Sequence, residues 1–124
     1  MCFCCKEKEN MLEKQVGDYQ ISTDKTKLDV DAIHAYLTSS YWAKGIPKET
    51  VVRSIEHSLC LGVYKDSGVY KDKEQVGFSR VITDYATFMY LADVFILEAH
   101  RGKKLGVAMI DMVVNHPDLQ GIRN

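Results

Sequence analysis

Two apolar runs joined by a short basic loop constrain this chain more than anything else in it. Phe88 to Leu97 is apolar on both faces except at Tyr90 and Asp93, and a strand of that kind belongs inside a sheet. Leu105 to Asn115 reads as a helix that is apolar nearly all round. Only Lys104, Ala108, Asp111 and Asn115 form a narrow stripe fit for water. Such a helix has to be covered by a sheet or by a partner. Between the two runs, His100 to Lys104 is charged and carries Gly102. A central strand therefore feeds, through a basic turn, into the start of a packed helix.

The chain has room for one such arrangement. At 124 residues it is sized for one domain, and a core without disulfides is feasible at that length. Apolar residues at 46% and charged residues at 27% exclude wholesale disorder. Lys and Arg number 16 against 17 Asp and Glu, a net charge of −1, which excludes a generally basic nucleic-acid binder. No run approaches the ~18 apolar residues of a membrane span. The N-terminus lacks an apolar signal core, so a cytoplasmic protein without membrane or nucleic-acid partners is expected. Cys2, Cys4 and Cys5 crowd a start with no His or second Cys pair at zinc spacing, so no metal is expected. Residues 1–16 read as a disordered tail, and residues 17–124 as the domain. Cys60, alone in an apolar run, reads as a core residue.

Period and punctuation give the remaining elements. Asp18 to Thr23 alternates and opens the sheet. Val30, Ile33 and Leu37 mark a first helix over 28–39, with Asp29 and Asp31 at its positive end. Pro47 suits the first turn of a second helix carrying Val52, Ile55 and Leu59. Leu59 to Tyr64 is a strand, 65–74 a lengthened hairpin loop, Val76 to Thr83 a strand and 84–87 a turn. Pro117 closes the last helix at His116. The order β-α-α-β-β-β-α implies an α/β (α+β) fold, a mixed, mainly antiparallel sheet flanked by helices.

Arg101-Gly102-Lys103-Lys104-Leu105-Gly106 is the segment that can carry chemistry. Unpaired N–H groups at a helix start point into such a loop, glycines permit close approach, and the cations add positive charge. A pyrophosphate is the natural guest; a basic helix start that binds only water is the alternative, and local sequence leaves both open. The loop lacks the Gly-Lys-Ser/Thr ending of a P-loop and the spaced glycines of a dinucleotide fold. Asp93, breaking an apolar strand, reads either as a group that orients or deprotonates an amine or as a buried carboxylate with satisfied hydrogen bonds. The histidines have no partners at metal-ligand spacing and read as surface or helix residues, and Tyr90 reads as core.

DVFILEAHRGKKLGVAMID resembles the strand–loop–helix signature of the GNAT acetyltransferase superfamily, Arg/Gln-x-x-Gly-x-Gly/Ala, and the element order over about residues 17 to 123 agrees with it. The resemblance implies an N-acetyltransferase that moves an acetyl group from acetyl-coenzyme A to a primary amine of a small molecule or peptide by direct attack. The cofactor would lie between the family's fourth and fifth strands. The backbone of Val94, Phe95 and Ile96 would bond its pantetheine arm. Arg101, Gly102, Lys103, Lys104, Leu105 and Gly106 would cradle its pyrophosphate. Tyr41 and Trp42 would line the acceptor pocket or lock the helices together. Lys104 departs from the pattern by standing where the family has its middle glycine, a change that a helix start tolerates. The family also continues with a further strand, helix and hairpin, so the resemblance implies a domain incomplete at its C-terminus. An open sheet edge would then favour homo-oligomers, and a non-catalytic coenzyme A-binding or interaction module is the alternative function.

Overall fold

A computed structural model describes residues 11–66 and 73–122. Five strands form one sheet in the order β1-β2-β3-β4-β5, and every ladder is antiparallel. They are β1 (Glu13–Val16), β2 (Tyr19–Ser22), β3 (Leu59–Asp66), β4 (Lys73–Thr83) and β5 (Met89–Ile96). Helices α1 (Val30–Ser39) and α2 (Lys48–Glu56) join β2 to β3, and α3 (Leu105–Val114) follows β5. This is the mixed α+β architecture expected from the sequence. The tip of the hairpin loop expected over 65–74, and residues 1–10 of the expected tail, lie outside the described residues.

Alternation along the strands sorts the core into two layers. Leu61, Val63 and Val81 face α3 and pack on Leu105, Met109, Met112 and Val113. Cys60, Phe78 and Phe95 face the other way, onto Ile33, Leu37, Val51 and Ile55 of α1 and α2. Cys60 is thus the core residue expected. Asp29 caps α1 by accepting from the Ala32 N–H, and Pro47 sits at the N-cap of α2 just outside its first turn. Gly62 lies where a Cβ would run into the Tyr64 ring, so β3 needs a residue without a side chain there.

Several expectations need correction. Glu13–Val16, placed in the tail by the sequence reading, pairs with β2 through a two-residue turn headed by Gly17 at φ 60°. Its residues are exposed or half-buried, so no apolar alternation announced it. Among the described residues β5 stands at the end of the sheet, paired on one side by β4, and not inside it as expected. Its apolar residues do not mean burial on both faces, for Tyr90 is 58% exposed. His116 is buried rather than superficial, and its Nδ1 accepts from the Asp118 N–H at 3.0 Å.

Candidate functional site

β5 turns into α3 through a short 3-10 turn at Glu98–His100 and the loop 101–104. Two residues there have left-handed backbone, Gly102 at φ 81° and Lys104 at φ 64°. Lys104 is the N-cap of α3, and no side chain caps that end. The helix start therefore offers backbone donors and the positive end of its dipole without a side-chain acceptor. The expectation that Lys104 occupies an ordinary helix-start conformation fails. The position wants a left-handed residue, which is why a glycine suits it and why lysine is strained there.

The α3 start opens on a cavity of about 250 Å3 lined by Ile96, His100, Arg101, Gly102, Lys104, Leu105, Gly106 and Val107. Five of the six loop residues expected at an anion site surround it. The sixth, Lys103, lies on a neighbouring cavity of about 460 Å3 with Tyr19, Lys65 and His100. His100 borders both, and its Nδ1 is 2.9 Å from the Tyr19 hydroxyl, which ties the loop to β2. A Cβ built on Gly106 meets nothing within 4 Å, so the glycine leaves space that a side chain would fill. Arg101 donates from Nε to the Ile96 carbonyl at 2.7 Å and from a terminal nitrogen to the Tyr36 hydroxyl at 3.5 Å.

Upstream on β5, Asp93 has a positive φ of 55° and sits in a bulge, since Phe78 pairs Phe95 while Arg80 pairs Ala92. Aspartate tolerates this backbone better than an apolar residue does. Both its carboxylate oxygens are engaged: Oδ2 accepts from Arg80 Nε at 2.8 Å, and Oδ1 from Trp42 Nε1 at 3.0 Å. Arg80 also donates to the Ser58 hydroxyl at 3.2 Å. The loop between α1 and α2 is thereby pinned over the bulge. Tyr41 packs edge-on against Trp42 with ring centres 5.3 Å apart and is 92% exposed, while Trp42 is 44% exposed. Tyr36 stacks on Phe95 at 3.9 Å. Phe95 is buried, whereas Val94 is exposed and Ile96 half-buried. The edge of β5 away from β4 faces no strand among the described residues.

Sequence reasoning missed Arg80, Tyr36 and His100. Arg80 was visible as a cation on an otherwise apolar strand face, a position that calls for a partner. Tyr36 and His100 had no such signal. No group of three or more His, Cys, Asp or Glu suited to a metal occurs among the described residues, and no helix there is long and apolar enough to cross a membrane.

The comparisons agree with this geometry. The family model "Acetyltransferase (GNAT) family" matches residues 30–123. A Gibberella zeae protein, "Putative acetyltransferase FG08082", is 39% identical over 111 residues, which cover 78% of this chain. The chain spans 63% of the length of that curated relative. The crystal structure of a "putative acetyltransferase belonging to the gnat family" from Xanthomonas campestris pv. campestris is 47% identical with a TM-score of 0.78, over 88% of this chain and 73% of that one. A Staphylococcus aureus protein of unknown function, 15% identical with a TM-score of 0.60 over 77% of this chain and 66% of its own, shares the fold. The chain belongs to the GNAT acetyltransferase family.

Proposed function

We propose that this chain binds acetyl-coenzyme A along the free edge of β5 and at the start of α3, as part of a site that acetylates a primary amine of a small molecule or peptide. One observation carries the reading: an uncapped helix start, rich in cations, opens on a cavity of about 250 Å3 that a Cβ at Gly106 would invade. A whole ligand of drug size takes roughly 300–1,000 Å3, so the cavity suits the diphosphate, with the remainder lying along β5. The residues present fit that ligand. Backbone donors of Leu105 and Gly106, with Arg101, Gly102, Lys103 and Lys104, would hold the diphosphate. The backbone of Val94, Phe95 and Ile96 would align the pantetheine arm as a short added strand.

Acetyl-coenzyme A supplies the thioester carbonyl. The chain's part is to orient the two reactants and to exclude water between them. Tyr41 and Trp42 would border the acceptor, and Asp93 would orient it through Trp42, because both its oxygens are already engaged. That engagement favours one second reading, a coenzyme A-binding module without turnover, since Asp93 is not a free base.

Release of coenzyme A thiol from acetyl-coenzyme A in the presence of primary amines, measured beside the heat of coenzyme A binding, separates the two. Amine-dependent release supports transfer, and heat without release supports the binding module. Neither heat nor release overturns both.

A further inference from the structure

The diphosphate seat proposed above is built on backbone that does not hold itself. Gly102 at φ 81° and Lys104 at φ 64° are both left-handed, and the N-cap of α3 makes no side-chain hydrogen bond. A left-handed lysine persists only where its surroundings hold it. Packing does little of this on one side, because a cavity of about 460 Å3, bordered by Tyr19, Lys65, Ala99 and Lys103, lies between the loop and the ends of β2 and β3.

Two neighbouring side chains hold the loop instead, and they reach opposite faces of the sheet. Arg101 donates to the Ile96 carbonyl at 2.7 Å and to the hydroxyl of Tyr36, which packs in the layer of α1 and α2. His100 turns the other way. Its Nδ1 is 2.9 Å from the hydroxyl of Tyr19, which belongs to the layer under α3. Tyr19 is a rigid post: it is 6% exposed and pairs with Lys65 of β3, whose ammonium is 5.5 Å from the ring centre. The imidazole meets the same ring edge-on at 5.7 Å. A hydroxyl 81 residues away in sequence thus fixes where the loop begins. Building on the proposed function, we infer that Tyr19 and His100 are positioning residues for the diphosphate: their bond keeps residues 102–106 in the conformation whose N–H groups converge on the anion. Affinity for a ligand that needs one loop conformation falls with the fraction of molecules that leave it. Only ligands that carry the diphosphate feel that loss.

Calorimetry with coenzyme A and with pantetheine is run on the wild type and on Tyr19→Phe, His100→Phe and His100→Asn. Tyr19→Phe keeps the ring and its packing and loses only the hydroxyl. Asparagine carries its amide atoms at the reach of Nδ1 and, like imidazole, can donate or accept. Tyr19→Phe and His100→Phe should weaken coenzyme A binding about 2- to 10-fold, the range that one hydrogen bond supports, and leave pantetheine within about twofold. His100→Asn should recover most of the loss. In the free proteins, amide hydrogen exchange at residues 102–106 should quicken in Tyr19→Phe and His100→Phe relative to the core amides of β3. Undiminished coenzyme A affinity in Tyr19→Phe overturns the inference, as does an equal loss for both ligands. So does unchanged exchange at residues 102–106, or a His100→Asn no better than His100→Phe. A wild type that binds coenzyme A no more tightly than pantetheine removes the diphosphate seat and this inference together. A wild-type advantage that persists in full in Tyr19→Phe removes this inference alone.

Discussion

Gly106 and Lys104 show how single residues divide stability from binding. Gly106 lies in the first turn of α3, where a Cβ meets nothing, so Gly106→Ala should stabilise the fold by about 1 kcal/mol through helix propensity. The same methyl group intrudes on the proposed diphosphate seat. Thermal denaturation should rise while coenzyme A affinity falls; affinity that holds or rises would contradict the role given to the glycine. Lys104 sits at φ 64°, and Lys104→Gly should add about 1–2 kcal/mol of stability by relieving left-handed strain. A denaturant midpoint at or below that of the wild type would refute that account. The motif of glycines and cations was legible in the sequence, but the strain at Lys104 was not, because backbone handedness is set by how the loop meets the helix. Asp93 was legible as an anomaly in an apolar strand. Its partners Arg80 and Trp42 were not, since they lie on β4 and on the α1–α2 loop.

Among the elements, the β4–β5 turn carries a pH dependence that can be assigned. The Thr87 hydroxyl, then the backbone N–H groups of Thr87 and Ala86, hold the Asp84 carboxyl well below the usual carboxylate range. Its folded value is depressed, so the stability it contributes is complete above the unfolded value of ~3.9. That contribution declines as the pH falls below this value and is gone once the folded form is protonated. Asp84→Ala should lower the melting temperature at neutral pH, and the gap to the wild type should close as the solution is acidified below about pH 4. A gap that stays constant with pH would mean that the side chain acts only through turn geometry. α1 was readable from its periodicity and its acidic start, and β3 and β4 from their apolar alternation, whereas α2 buries Val51 and Ile55 rather than the expected stripe of Val52, Ile55 and Leu59, because it ends at Glu56 and Leu59 opens β3. β1 was not, because Glu13, Lys14 and Gln15 are exposed and bury no face. β5, expected inside the sheet, stands at its end among the described residues: a run of apolar residues has the same appearance in a strand buried on both faces and in one whose face carries exposed aromatics. The outer side of α3 repeats that lesson, with Val107 66% and Val114 60% exposed among the described residues.

For the molecule as a whole, the sheet separates two tasks. α3 covers one face and brings its basic start to the end of β5, while α1 and α2 cover the inner part of the other and deliver Trp42 to the bulge. β5 meets the α3 start at its end and Trp42 at its bulge. The family and the fold could be read from the loop and the order of elements, since both depend on local pattern. The proposed acceptor face could not, because it is assembled from three segments distant in sequence. The central claim is that the α3 start holds a diphosphate, and calorimetry with coenzyme A and with pantetheine, which lacks that group, tests it most directly. The account predicts that coenzyme A binds at least about tenfold more tightly, a difference of ~1.4 kcal/mol, and that Gly106→Val abolishes the difference. Equal affinity for the two ligands, or an advantage for coenzyme A that survives in Gly106→Val, would contradict it.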